Sequence, residues 1–432
     1  MTEKNEKVRG RALLVGLNCG ALADFDNSDE ETMDELEELL RTAGGETVLR
    51  TMQNRRSPEP GTFIGEGKAR ELAETVKATE IDIVIFDNEI SPSQTRALEK
   101  LLDCRVIDRS ALILDIFADR AKTREGKLQV ELAQYKYILP RLTGMWGHLV
   151  RQTASGGASP IGTRGPGETQ LETDRRHIRR KIQKLEDEIE QVRKVRGVQR
   201  RGRQKSNIPM VCLVGYTNAG KSTLLNALTG ADVHANDRLF DTLDPTVRLM
   251  DTKDIGEILV SDTVGFIRKL PHLLIGAFRA TLEELTHADA LVHVVDASNP
   301  AWREQADVVE ELITQLGAEK TPRLMLFNKV DLLTEEQLPR ASGAVYCSAA
   351  RGIGMDKLTE RIAELIGENM STVSLVIPYS SGGLLDMLHR SAVVKKAEYT
   401  DEGVAVEAVC SRQVLGQLSA ALRSGGEADG EL

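Results

Sequence analysis

The stretch MVCLVGYTNAGKS occupies residues 210–222, and STLLNAL carries on from Ser222. The apolar run Met210–Val214 predicts a strand buried on both faces, and the leucine-rich continuation predicts a helix. Between them lie Gly215, Tyr216, Thr217, Asn218, Ala219, Gly220, Lys221 and Ser222. They spell G-x-x-x-x-G-K-S in the strand–loop–helix context that gives the pattern its meaning. Glycines let the backbone wrap a phosphate chain, so that N–H groups and the helix N-terminus face it. Lys221 brings a point charge to the β and γ oxygens, and Ser222 offers a hydroxyl to Mg2+.

Three further elements follow in order. Asp262, Thr263, Val264 and Gly265 come after the apolar run Ile258–Val260. A carboxylate at a strand end can hold Mg2+ through water, and the glycine N–H can sense a γ-phosphate. Asn328, Lys329, Val330 and Asp331 come after Leu324–Phe327. Guanine carries two N–H donors on one edge where adenine has no such pair. Asp331 can accept both, and Asn328 can serve the opposite side of the base. A buried carboxylate left unpaired by the wrong base makes discrimination large. Cys347, Ser348 and Ala349 then offer a backbone N–H to the guanine O6. Each short element alone is weak evidence; four in this order predict a guanine-nucleotide site.

The loop between the first element and Asp262 should carry a switch threonine. Phe240, Asp241, Thr242, Leu243, Asp244, Pro245 and Thr246 hold two candidates. Thr242 is the choice for Mg2+, Thr246 the second choice, and a surface turn around Pro245 the plain alternative. Lys221, Thr242, Gly265 and Asn218 are the catalytic candidates. Phe266 stands where Ras-like proteins carry a water-orienting glutamine, and its side chain has no hydrogen-bonding group. Hydrolysis therefore needs its polar contact from elsewhere. Asn218 is one source, by holding K+ against the phosphates; the alternative is that it only stabilises its loop.

Working outward, residues 206–368 read as a P-loop domain with a mostly parallel sheet. Residues 1–122 read as an N-terminal α/β domain. There, strand-like runs (Ala12–Leu17, Ile81–Phe86, Cys104–Ile107) alternate with helical stretches around Glu30–Thr42, Lys68–Thr79 and Ser93–Leu102. Thr62–Ala69 (TFIGEGKA) is either a phosphate cradle or a plain turn, and it lacks the full G-x-G-x-x-G spacing. Residues 123–205 read as an antiparallel helical hairpin. Leu128, Leu132, Tyr135, Leu139 and Leu142 form one seam, and Ile178, Ile182, Leu185, Ile189 and Val192 the other. Pro140 kinks or ends the first helix. The tip loop Gly144–Gly167 has seven glycines and no acid, and it carries Trp146, His148, Arg151 and Arg164. Between Arg175 and Lys205 stand thirteen Lys/Arg against four acids. The run is either a solvated face or a surface for phosphate backbones. Residues 369–432 read as a small C-terminal α+β module. Its strands are Val373–Ile377 and Gly403–Val409, its helices Gly383–Arg390 and Arg412–Leu422, and its tail Gly425–Leu432 is expected to be disordered.

Composition narrows the classes. Hydrophobic content of 41% and charged content of 28% suit a globular protein. The longest apolar runs, such as Ala290–Val295, are too short to span a bilayer, and the N-terminus shows no signal region. The five cysteines form no CxxC pair, which points away from a zinc site or a disulfide framework. A net charge of −10 argues against general coating of nucleic acid but not against a local basic patch.

GYTNAGKST at Gly215–Thr223, FDTLDPT at Phe240–Thr246 and DTVGFI at Asp262–Ile267 together resemble the HflX GTPases. So do EGKLQVELAQYKYILPRL at Glu125–Leu142, IGTRGPGETQLETDRR within Ala158–Arg176, and TFIGEGKA. The resemblance covers nearly the whole chain. It implies GTP binding and hydrolysis with Mg2+, and ATP hydrolysis in some members. It also implies association with the large ribosomal subunit, whose stalled or idle ribosomes the family can split, with the helical linker reaching toward the peptidyl-transferase region. Peripheral membrane association has also been proposed for the family. Nucleotide contacts then fall on Gly215–Ser222, Phe240–Asp244, Asp262–Gly265, Asn328–Asp331 and Ser348–Ala350, and metal ligands on Ser222 and Thr242. Two departures stand out. Gly156–Ile161 (GGASPI) is longer than the usual glycine run, and CSAA lacks the lysine that many G proteins place after Ser-Ala.

The reading is a cytoplasmic, monomeric GTPase with low intrinsic turnover, stimulated by a partner. Its basic hairpin binds ribosomal RNA of the large subunit, and it splits or rescues stalled ribosomes. Two alternatives stay open: a GTP-controlled regulator of a protein or membrane partner without RNA, and ATP-driven RNA remodelling by the N-terminal domain.

Overall fold

The computed structural model describes residues 10–22, 26–142, 166–206, 208–231, 239–240, 246–252, 256–270, 285–367, 370–379, 382–411, 414–416 and 418. The chain separates into two compact units. The first holds residues 1–191 together with two short later segments, 237–243 and 267–279; the second holds the remainder.

The first unit is built on a four-stranded sheet of order β2-β1-β3-β4, parallel throughout. Its strands are β1 (Arg11–Cys19), β2 (Glu46–Arg55), β3 (Ile83–Phe86) and β4 (Arg105–Asp108). Four helices serve it: α1 (Glu30–Ala43), α2 (Glu66–Thr79), α3 (Pro92–Leu102) and α4 (Arg109–Arg120). Alternate residues Leu13, Val15 and Leu17 of β1 share a core with Leu72 and Val76 of α2 and Leu98 of α3. The intervening Ala12 and Leu14 are equally buried on the opposite face, as a strand's two-residue period requires. The sequence reading missed two elements here. The edge strand β2 (ETVLRTMQNR) is half-exposed and has no continuous apolar run. Helix α4 starts directly at the end of β4, with Asp108 capping Ala111 N at 3.0 Å. The TFIGEGKA segment forms a turn. The N–H of Gly65 donates to Gln53 Oε1 at 2.9 Å, and a Cβ there would sit 2.2 Å from the Arg55 guanidinium.

Buried charge holds this unit together at the strand ends. Arg109 is 2% exposed and donates to Asp87 Oδ1 at 2.8 Å, to Thr32 O at 3.2 Å, and to Glu35. The second oxygen of Asp87 accepts from Ser28 Oγ at 2.7 Å and from Lys269 of the 267–279 segment. Burial pushes the Asp87 carboxyl upward, but the charges of Arg109 and Lys269 and the hydrogen bonds from Lys269 and Ser28 outweigh it and hold it below the usual range.

Helix α5 (Arg124–Arg141) and helix α6 (Pro166–Ser206) supply the two long helical stretches. Pro140 lies in the last turn of α5, which ends one residue later, and Pro166 opens α6 at a position where a missing N–H costs nothing. Leu128, Leu132, Leu185 and Ile189 of the predicted seams are buried. Ion pairs Arg124–Glu188 (3.7 Å) and Glu131–Lys181 (3.2 Å) run in opposite sequence directions along the two helices, as antiparallel partners do. Tyr137 Oη and Arg141 both reach Asp108, at 2.9 Å each, and tie α5 to the end of β4. The glycine-rich tip falls in residues 143–165, outside the described residues.

The second unit centres on a six-stranded sheet of order β10-β9-β8-β5-β7-β6. Strands β5 (Met210–Gly215), β7 (Gly256–Asp262), β8 (Ala290–Asp296), β9 (Arg323–Asn328) and β10 (Val345–Tyr346) are parallel; β6 (Thr246–Thr252) pairs antiparallel with β7. Helices α7 (Lys221–Thr229), α8 (Trp302–Gln315) and α9 (Met355–Gly367) belong to it. Strand order reverses beside β5, the place where open α/β sheets bind ligands at the strands' carboxyl ends. A second, antiparallel sheet of order β11-β13-β12 joins β11 (Met370–Ile377), β12 (Val393–Thr400) and β13 (Gly403–Ser411). Helix α10 (Gly382–Ser391) contributes Leu388 to its core with Val404, Val406 and Ala408. Strand β12 (VVKKAEYT) is mostly exposed, which is why its pattern carries no strand signal in the sequence.

Replacing Arg109 with Met should expose how far the first unit rests on the buried charges. Removing one partner leaves Asp87 and Glu35 under-compensated, at a cost of about 3–5 kcal/mol. Hydrogen exchange of the β1 and β3 amides measures it, and protection unchanged within 1 kcal/mol (about fivefold in exchange rate) would count against the network.

Candidate functional site

The site forms where β5, β7, β8 and β9 end. The Lys221 side chain folds back over its own loop and donates to Tyr216 O at 2.8 Å and Gly215 O at 3.1 Å. It is 6% exposed. Burial pushes its pKa down to about 8, while the nearby charge of Asp262 works in the other direction. Ser222 Oγ donates to Asp262 Oδ2 at 2.6 Å. The two proposed partners of a magnesium ion are thus side by side, and both are hard oxygen donors of the kind Mg2+ takes. Thr263 points away from them and donates to Leu213 O at 2.6 Å, locking the end of β7 to β5.

Close approach explains two of the glycines. A Cβ on Gly265 would lie 2.9 Å from the Thr217 Cα and 3.1 Å from Lys221 Nζ, so any side chain there would press on the phosphate loop. A Cβ on Gly220, whose φ is +89°, would meet Asn328 Nδ2 at 2.3 Å. Phe266 reveals why the water-orienting position is apolar. Its ring is 1% exposed and belongs to the core. Its backbone grips the phosphate loop, with Thr217 N donating to Phe266 O at 2.7 Å and Phe266 N to Gly215 O at 3.1 Å. Asn218 is exposed in a left-handed turn, with φ of 60°, a conformation asparagine tolerates.

At the base end, Asn328 has a different first task from the base contact expected of it. Its Nδ2 donates to Ala219 O at 2.9 Å, and its Oδ1 accepts from Ala349 N at 3.0 Å. The amide staples the phosphate loop to the 347–349 segment. Ser348 N donates to Ile353 O at 3.0 Å, so neither Ser348 nor Ala349 has its N–H to spare. Ala350 is exposed, and its N–H donates to none of the described residues, which makes it the available donor for a base carbonyl. Lys329, with φ of 62°, pairs with Asp296 at 2.7 Å. Val330 N donates to Cys347 O at 3.3 Å, and Asp331 faces Arg351.

The switch stretch divides. Asp241, Thr242, Leu243 and Asp244 lie outside the described residues. Phe240 is 2% exposed and belongs to the first compact unit, its ring edge-on to Phe117 of α4 at 4.6 Å between centroids. Its side chain is spent on packing there, not on a nucleotide. Thr246, the second-choice threonine, opens β6 opposite Asp262. Tyr216, Ala219 and Val264 are buried and serve the core, so only their backbones face the loop.

The depressed Lys221 pKa has a measurable consequence. An unfolded lysine keeps its proton up to its ordinary value of 10.5, whereas the folded protein releases it near 8, so stability rises with pH across that window. A phosphate chain beside Nζ favours the charged form and restores the proton. GDP binding at about pH 9 should therefore take up close to one proton, a linkage that fades below about pH 7. Calorimetry in two buffers of different ionisation enthalpy reads it. Identical heats in both, or uptake that survives Lys221→Ala, would assign the proton elsewhere.

Three family models match successive stretches of the chain. Residues 30–118 match the family described as GTP-binding GTPase N-terminal, residues 120–203 the GTP-binding GTPase middle region, and residues 210–329 the 50S ribosome-binding GTPase. The chain is 46% identical to the GTPase HflX of Caldanaerobacter subterraneus subsp. tengcongensis over 417 residues, 96% of this chain and 94% of that one. It is 45% identical to the GTPase HflX of Escherichia coli over 384 residues, 87% and 89% of the two. A solved GTP-binding protein from Sulfolobus solfataricus in complex with GDP is 24% identical, aligns over 83% of this chain and 99% of that one, and has a TM-score of 0.42. No helix among the described residues is long and apolar enough to cross a membrane. Identity at this level over nearly the full length places the chain in the HflX family of GTPases.

Proposed function

We propose that this GTP-hydrolysing enzyme acts on the large ribosomal subunit, gripping ribosomal RNA with its helical hairpin and splitting stalled or idle ribosomes. The observation that carries the reading is α6. Its thirteen Lys/Arg between Arg175 and Lys205 include Arg176, Arg179 and Arg180, which are exposed. Exposed cations of this kind suit contact with phosphates. The match of residues 210–329 to a family described as 50S ribosome-binding supports the same partner.

In the nucleotide site, Gly215–Ser222 wrap the phosphates with backbone N–H groups, and Lys221 supplies the countercharge. Ser222 and Thr242 are the proposed protein ligands of Mg2+, with Asp262 acting through water. Mg2+ held there would supply positive charge to offset that of the phosphates. Gly265 offers its N–H toward the γ-phosphate, Asp331 reads the guanine edge, and Ala350 N–H takes O6. Asp241, Leu243, Asp244, Thr263, Val264, Lys329, Val330, Ser348 and Ala349 complete the proposed lining. Because Phe266 is locked in the core, the polar contact that aids hydrolysis comes from elsewhere. Asn218 is the internal candidate, holding K+ against the phosphates. GTP binding orders the loops carrying Thr242 and Gly265, and hydrolysis releases them.

Co-sedimentation with large ribosomal subunits in a non-hydrolysable GTP analogue tests the partner. Binding is expected, and its loss at higher salt should be steep. Charge reversal of Arg175, Arg176, Arg179 and Arg180 together should weaken binding and flatten the salt dependence by about 0.7–0.9 log units per lost phosphate contact. Wild-type behaviour of that variant would remove the hairpin from the contact, and no co-sedimentation at all would favour a protein or membrane partner. GTP turnover should be faster in potassium than in sodium, and equal rates would reduce Asn218 to a loop stabiliser.

A further inference from the structure

Asp331 is an exposed residue whose carboxylate has no hydrogen-bond donor among the described residues. Its side chain is 20% exposed. A carboxylate without a hydrogen-bond donor is still compensated by an opposite charge nearby. The neighbouring lysine is not that charge, because Lys329 Nζ is committed to Asp296 at 2.7 Å. The compensating charge is Arg351, whose Nε lies 3.8 Å from Asp331 Oδ2. That separation is within ion-pair range but beyond hydrogen-bond length, so the carboxylate lone pairs stay open.

Arg351 is presented, not loosely tethered. Ser348 and Ile353 exchange both backbone hydrogen bonds across the turn, at 3.0 and 3.1 Å. The Arg351 N–H donates to Ser348 O at 3.2 Å and to Ser348 Oγ at 3.3 Å. Gly352 follows with φ of +69°, and a Cβ on Gly354 would strike Tyr346 O at 2.4 Å, so the turn takes no side chain at Gly354 without shifting. From this turn the Arg351 side chain reaches Asp331 while remaining 73% exposed. An exposed pair of this kind adds little to stability. Its charge and its flat guanidinium are free to serve a ligand.

We propose that Arg351 is a specificity-determining residue of the nucleotide site: it orients the Asp331 carboxylate for the two-donor edge of guanine and lays its guanidinium against the base. The proposal rests on Asp331 as the guanine-reading carboxylate. The guanidinium stands 3.8 Å from the carboxylate, on the side of the turn 348–353. When guanine arrives, its N1–H and N2–H take the open lone pairs, and the arginine keeps the charge balanced from the side and covers the purine face. The short Ala350 in the preceding position leaves room for this, in a segment without the lysine common after Ser-Ala.

The test compares GDP with IDP, whose base lacks the N2–H and offers the carboxylate a single donor. Arg351→Ala should weaken GDP binding about three- to tenfold and IDP binding by less than half that factor, narrowing the GDP/IDP preference. Arg351→Lys should restore charge without the planar fork and recover only part of the preference. Unchanged GDP affinity in Arg351→Ala would overturn the proposal, and so would equal losses for GDP and IDP, which denote stacking or a structural role alone. Asp331→Asn separates the two layers of the argument. It should abolish the preference for guanine over xanthine, because an amide donates where the carboxylate accepted. If it does not, Asp331 is not the base reader and the inference falls with it; if it does while Arg351→Ala changes nothing, only the arginine's role is lost.

Discussion

The side-chain amide of Asn328 joins three segments that are far apart in sequence. It gives a proton to Ala219 O in the phosphate loop and takes one from Ala349 N beyond β10. Both contacts are buried, so each is worth more than its surface equivalent and neither end can be left unmade without penalty. The consequence is geometric. The loop that surrounds the phosphates and the segment that meets the base cannot drift apart, and a nucleotide spanning both finds a preformed distance. Gly220 follows from the same constraint, since Asn328 Nδ2 occupies the space a side chain would need.

Around that staple the chemistry is distributed by burial. Lys221 is buried in the loop and donates to two of its carbonyl oxygens. Ser222 and Asp262 are held in contact with each other, which puts two hard oxygen donors at the place a divalent ion would use. Phe266 is the inverse case. Its backbone is the most tightly engaged part of the segment after Gly265, and its side chain is fully given to the core. The position cannot both anchor the phosphate loop from inside and reach a water.

Much of this was legible in the residues. The phosphate loop announces itself because strand, glycine pattern, lysine and helix are contiguous, so local chemistry alone encodes it. The parallel sheets were legible through β1, β5, β8 and β9, whose two-sided burial demands unbroken apolar runs. What escaped were elements whose burial is partial. Strands β2 and β12 lie at sheet edges with one face wet, and their mixed sequences look like loops. Helix α4 follows β4 without a turn, and the capping Asp108 is itself the last residue of the strand.

The sequence by itself determined which residue types meet a guanine nucleotide, because the motif elements are short and each depends only on its neighbours. It also determined the family, because similarity extends along nearly the whole chain. Only the tertiary structure decided how those residues divide their labour. The amide expected at the base became a staple, the free N–H moved from Ala349 to Ala350, and an unremarked Arg351 came to face Asp331. It also placed Phe240 and Lys269, from the second half of the chain, in the compact unit of the N-terminal sheet. The physical reason is common to all of these. Hydrogen-bond partners, close packing and compensating charges are properties of space, and residues a hundred positions apart settle them only after the chain has folded.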